Sequence, residues 1–251
     1  ALLFRLGAVF AMGHGDVPAA GAVYVVQAEG IAQGHGFLYF IHEEWTNLWV
    51  TEPGYSLFLA FWMILGIPAG AGMLVVQAVL GAVLAPVIYS YVGRRSGPKT
   101  AAAAALLYAL DPIAAAPCLF ILREIFVMAL IMAGVCAMDI AGKLGSAIKG
   151  LLMGLASLSF PVFGLWPIWA WVLERRIAAN LRKMTLLGVL IAFGVSGLWM
   201  VRNAWLSGGN FVFRRHTTAV LLYQTARYDF HWLPDPSDPQ FKEISAEVES
   251  R

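Results

Sequence analysis

The sequence predicts an all-α polytopic membrane protein, and three observations carry that prediction. The 251 residues are 60% hydrophobic and only 13% charged, where soluble domains carry about 25% charged residues. Mean hydropathy is +0.72. Apolar runs near 71–92, 100–120 and 121–142 are each about 20 residues long, enough to cross a hydrocarbon core about 30 Å thick. A β-barrel would show short alternating segments instead.

Taken in order, the chain opens in an apolar run, Ala1–Gly13, without an initiating Met, and ends in the charged stretch Glu243–Arg251. Both ends are expected to be cut, making this the N-terminal part of a longer protein. Residues 14–53 form a long polar loop that holds five acids (Asp16, Glu29, Glu43, Glu44 and Glu52) and no Lys or Arg. Inside it, Val17, Ala20, Gly21, Tyr24, Ala28 and Ile31 recur at helical spacing. Asp16 suits an N-cap and Pro18 a first turn, while Gly34-His35-Gly36 ends the helix. The spacing predicts an amphipathic helix resting on the membrane. Gly54–Ile67 is short for a span and carries Tyr55, Phe58, Phe61 and Trp62, so it is expected to lie in the outer interface at headgroup level.

Basic residues then fall in three clusters: Arg94/Arg95/Lys99, Lys143/Lys149 and Arg175/Arg176/Arg182/Lys183. Short cytoplasmic loops collect Lys and Arg, so an even number of crossings should separate neighbouring clusters. Runs 100–119 and 121–142 supply one pair, joined by an external turn with Asp111, Pro112, Pro117, Arg123 and Glu124. The stretch after Lys149 must be a tight hairpin of two short spans bent near Pro161, because proline removes a helix donor and clashes with the preceding turn. Residues 184–201 then cross outward and deliver Arg202-Asn203 to the external face. The layout is seven spans: a transmembrane module over 1–202, with its external loop at 14–70, and an external segment over 203–251. The loop acids, Glu124 and Arg202 share one face.

Several short patterns along nearly the whole chain resemble one family. They are Arg5-Leu6 and Asp16, and Tyr24-x3-Ala28-x2-Ile31-Ala32-x-Gly34-His35-Gly36-Phe37. Glu52-Pro-Gly-Tyr-Ser-Leu-Phe-Leu-Ala60, Gln77 and Arg94-Arg95 follow. Next come Asp111-Pro112 with Arg123-Glu124-Ile-Phe126, then Gly154-Leu-Ala-Ser-Leu-Ser-Phe-Pro161. The last are Trp199-Met-Val-Arg202-Asn203 and Gly209-Asn-Phe-Val212. In order and spacing they resemble the GT-C superfamily of polyprenyl-phosphate-sugar glycosyltransferases, nearest the bacterial protein-mannosyltransferase and aminoarabinose-transferase-like group. Phe160 stands where that family usually has Arg, and Asp16 lies eight residues before Tyr24 instead of three or four.

The resemblance implies a GT-C-like seven-span module in a bacterial inner membrane, working at the periplasmic face. It implies transfer of a sugar from a polyprenyl-phosphate donor to an acceptor hydroxyl of unread identity. The acceptor alcohol is the weak partner in such a reaction, and a carboxylate within hydrogen-bond reach can take its proton. That role is assigned to Asp16, whose competing reading is an N-cap. Arg202 is assigned to the lipid phosphate, which a guanidinium binds bidentately; it competes with an interfacial anchor that snorkels. Glu124, Asp111, Tyr55 and Arg5 are assigned to substrate contact. Glu124 could equally pair with Arg123, and Asp111 could merely end a helix. Arg5 inside an apolar run is costly unless paired or near water. Glu52 is the candidate ligand for a divalent metal, which prefers oxygen donors and could bridge phosphate oxygens.

Other classes fit less well. His14, His35 and His42 lack a metal-site spacing, Cys118 and Cys136 suit packing as small hydrophobes, and Trp166, Trp169 and Trp171 suit an interfacial belt. The basic clusters are topology signals, so no nucleic-acid partner is expected; membrane lipids are. A lipid or solute transporter would favour ionisable residues within spans and broken helices, and a non-catalytic assembly subunit would tolerate loss of the loop acids.

Overall fold

The computed structural model describes residues 1–12, 19–37, 39–41, 44–46, 52–137, 139–140, 142–177 and 186–206. Ten helices are described: α1 (Leu2–Met12), α2 (Ala19–Ala32), α3 (Pro53–Ile64), α4 (Ala71–Ser96), α5 (Pro98–Leu110), α6 (Pro112–Ala115), α7 (Glu124–Ala137), α8 (Gly142–Ser159), α9 (Trp166–Ile177) and α10 (Leu186–Leu206). Short 3-10 turns follow α6 and α8, at Ala116–Cys118 and Pro161–Leu165. The only described sheet is a two-stranded antiparallel hairpin, β1 (Tyr39–Ile41) with β2 (Glu44–Thr46). The fold is therefore helical, as the composition predicts.

Among the described residues, α4 and α10 are long and apolar enough to cross a membrane, and the bent pair α5–α6 with its following turn makes a third if counted as one span. Helices α1, α3 and α7 and most of α2 are apolar but shorter.

The sense of each helix follows from its contacts. A Cβ on Gly93 would meet Ala101, while Tyr108 donates to the Gly81 carbonyl at 3.0 Å, so α5 runs antiparallel to α4. Gln77 Nε2 donates to the Phe120 carbonyl, and Arg94 and Arg95 pair with Asp139; α7 therefore runs parallel to α4. Gly150 abuts Gly188, Gly154 abuts Ala192 and Val195, and Ser157 meets Ser196. Both numbers climb together, so α8 and α10 run parallel and the chain must return between them. The break at Phe160–Pro161 and the short α9 lie between them.

One end of the bundle thus carries Arg94, Arg95 and Asp139. The other carries the starts of α3 and α7 and the ends of α8 and α10. Glycine makes two of the packings possible: an added Cβ on Gly150 would collide with the Gly188 backbone, and one on Gly54 with Ser159. The largest buried cluster lies between α2, α3, α4 and α7, around Tyr24, Tyr55, Leu59, Leu74, Ile121 and Ile125.

Three expectations need correction. Helix α2 is not amphipathic: Glu29 is its single charge, and its Gly21, Tyr24, Val25, Gln27, Ala28 and Gly30 are buried. Helix α3 does not turn all its aromatics outward. Tyr55 is fully buried and packs against Tyr24, Phe58 and Phe126, and only Phe61 is well exposed. The run 100–119 is not one straight helix with Asp111 in its outer turn. It breaks by 61° at Asp111-Pro112, level with the middle of α4, because the residue before proline is pushed out of the helical region and Asp111 takes φ −67, ψ 114.

Candidate functional site

The site is built at the end shared by α3, α7, α8 and α10. Glu52 precedes α3 with an extended backbone and Pro53 opens the helix, which aims the Glu52 side chain inward, where it is 1% exposed. Arg123 sits in the turn before α7. Its Nη1 donates to Glu52 Oε2 at 2.7 Å and to Tyr24 Oη at 2.6 Å. Tyr24 Oη in turn donates to the same Glu52 oxygen at 3.3 Å. The Arg123 guanidinium also lies 4.2 Å over the ring of Phe160, just past the end of α8. Three segments far apart in sequence meet at one buried carboxylate, and Phe160 adds a fourth through the arginine.

Beside it, Tyr55 donates to Gln77 Oε1, and Gln77 Nε2 donates to the Phe120 carbonyl at 2.7 Å. This satisfies a polar side chain that is fully buried on α4 and anchors the turn that presents Arg123. Each neutral bond of this kind contributes about 1 kcal/mol, but leaving a buried partner unsatisfied costs about 1–3 kcal/mol.

The predicted residues are only partly brought together. Asp16 lies outside the described residues, as do His14 and His42. Glu52, the candidate metal ligand, has a guanidinium and a phenol for partners. Among the described residues no three His, Cys, Asp or Glu side chains gather to hold a metal ion, and a cation beside Arg123 would be repelled. The described residues do not fit a divalent ion at Glu52. Glu124 does not pair with Arg123; it is exposed in the first turn of α7, where a negative charge favours the helix dipole, and its charge reaches the Tyr55 phenol. Tyr55 is part of the same hydrogen-bonded floor.

Arg202 stands at the same end, one turn before the end of α10. It lies 4.6 Å over Trp199 and 5.2 Å over Phe37, and donates to Asn203 Oδ1 at 3.0 Å. Phe37 and Trp199 meet edge to face, which joins the end of the α2 segment to α10. Asp111 does not join this group. Its carboxylate accepts from the Ile113 N–H at 2.8 Å and caps α6.

Arg5 is fully buried and lies elsewhere too, at the break between α5 and α6. It donates to the Ala114 carbonyl at 2.6 Å and to Cys118 Sγ at 3.4 Å, and sits 4.9 Å over Tyr108. A broken helix frees carbonyls that must be satisfied internally when no water is at hand, and Arg5 satisfies one. Its Nε and Nη2 find no hydrogen-bond partner among the described residues.

Sequence reasoning did not single out Arg123, Tyr24, Gln77 or Phe160 as site residues. A signal existed for Gln77, since a lone amide within an apolar run needs a partner. No such local signal tells Arg123 to pair with Glu52 and not with its neighbour Glu124.

No family model, curated protein sequence or solved structure matches the chain.

Proposed function

We propose that this chain is a membrane glycosyltransferase that moves a sugar from a polyprenyl-phosphate donor to an acceptor hydroxyl at the external face of a bacterial inner membrane. The observation that supports the reading best is the gathering of Tyr24, Glu52 and Arg123 at one buried point, at the same helix end as Arg202. A seven-span layout of the GT-C kind accords with the parallel course of α8 and α10, which demands a return between them.

In this reading Asp16 takes the proton of the acceptor hydroxyl as its oxygen attacks the anomeric carbon. A carbon–oxygen bond forms there, and the bond from that carbon to the donor phosphate breaks. The electron pair leaves on the phosphate, which Arg202 neutralises. The Glu52–Arg123 pair braces the mouth, and no step runs through a metal.

A transporter is the second reading. It is favoured by one observation: a broken helix, α5–α6, with a buried arginine at the break, the pattern that transporters use around a midplane site. The deciding experiment reconstitutes the full chain in vesicles with a short-chain polyprenyl-phosphate sugar carrying a radiolabelled sugar. Label appearing on an acceptor in the wild type and not in Asp16→Asn sustains the transferase. Label crossing the bilayer still attached to its lipid sustains the transporter.

A further inference from the structure

The opposite end of the bundle carries an arrangement that sugar transfer does not use. Arg94 Nη2 holds Asp139 Oδ2 at 3.0 Å and Arg95 Nη2 holds Asp139 Oδ1 at 2.6 Å. Each guanidinium takes a different oxygen of one carboxylate, so among the described residues two cations face a single anion. Lys99 and Lys143, both exposed, open the neighbouring helices α5 and α8 at this end and raise the excess.

The two guanidiniums are positioned by their own helix. Arg94 Nη1 donates to Ser90 Oγ at 3.1 Å. Arg95 Nη1 donates to the Tyr91 carbonyl at 3.2 Å, and its guanidinium stacks 3.7 Å over the Tyr91 ring. The fork therefore stands ready without Asp139. It opens onto a shallow, largely open depression lined by Arg94, Arg95, Cys136 and Asp139.

Helix α4 has 26 residues, about 39 Å at 1.5 Å per residue. That exceeds a hydrocarbon core of about 30 Å, so in a bilayer its last turn emerges among the headgroups. A phospholipid phosphate there offers two unesterified oxygens and one negative charge, the same pattern that Asp139 offers.

We propose that Arg94 and Arg95 form a docking site for the phosphate of an anionic phospholipid headgroup, with the Asp139 carboxylate as an intramolecular stand-in that such a headgroup displaces. The proposal rests on the membrane reading of the chain and is independent of sugar transfer. An anionic headgroup is favoured over a zwitterionic one because a choline would bring a cation to a surface already in cationic excess.

The test uses the full chain in detergent, incubated with equal amounts of phosphatidylglycerol and phosphatidylcholine, with retained lipid counted by native mass spectrometry. The wild type should retain phosphatidylglycerol preferentially. Arg94→Gln/Arg95→Gln should lower that retention by about fivefold per arginine, the effect of roughly 1 kcal/mol for each basic residue at an anionic surface. Asp139→Asn removes the competing anion and should raise it. Asp139→Asn also decides the matter if the double variant does not fold, since a purely structural ion pair gives no gain on its removal. Equal retention of the two lipids, an unchanged double variant, or unchanged or weaker binding in Asp139→Asn would each overturn the proposal. Inorganic phosphate at millimolar concentration should not strip the lipid; if it does, the site serves free phosphate and the lipid assignment fails.

Discussion

Arg123 bonds Glu52 at 2.7 Å across 71 positions of sequence, while its chain neighbour Glu124 is exposed and outside the pair. The pair fastens the start of α7 to the start of α3, and Tyr24 adds α2 to the same carboxylate oxygen. With Glu52 1% and Arg123 18% exposed, neither charge can retreat fully to water.

Truncating one partner of this pair should therefore be costly. Arg123→Ala or Glu52→Ala should lose about 3–5 kcal/mol, the cost of an uncompensated buried charge. Replacing both together, Glu52→Ala with Arg123→Ala, should lose much less than the sum of the single changes. A double-mutant cycle from unfolding in detergent measures the difference, and strict additivity would dissolve the pair as an energetic unit.

Asp16→Asn should abolish sugar transfer while leaving expression and membrane insertion at the wild-type level. An amide keeps the N-cap hydrogen bond but cannot take a proton, so the two readings of Asp16 separate. Retained turnover would remove Asp16 from the chemistry.

Gly150→Ala should destabilise the chain by about 1–3 kcal/mol, as overpacking does, because its Cβ would enter the backbone of Gly188. Gly194→Ala on α10 meets nothing within 4 Å and should be neutral or slightly stabilising. Melting temperatures of the two variants, compared side by side, check the parallel α8–α10 packing.

The Arg95 hydrogen bond, with the charges of both arginines, holds the Asp139 carboxyl below its ordinary range. A carboxyl whose native pKa is depressed contributes stability above its unfolded value, and that contribution fades as pH falls through the native one. The acid limb of a stability–pH curve should therefore lose a small component in Asp139→Asn, small because both side chains are more than a third exposed on the Arg94 side of the pair. Identical acid limbs for wild type and variant would deny the pairing in solution.

The sequence alone determined the helical class, the break at Pro161 and the return between α8 and α10, because apolar length, proline and the sidedness of Lys and Arg are properties of short segments. That Asp111 ends a helix is only one of two sequence readings, the other being substrate contact, and the break at Asp111-Pro112 comes from the structure. What only the tertiary structure decided is which distant side chains share a partner. Arg123 could have met Glu124 or Glu52 by composition alone, and Tyr55 could have faced headgroups as readily as Gln77. Those choices depend on how α2, α3, α4 and α7 pack, and a buried charge or amide settles on whichever partner that packing brings within about 3 Å.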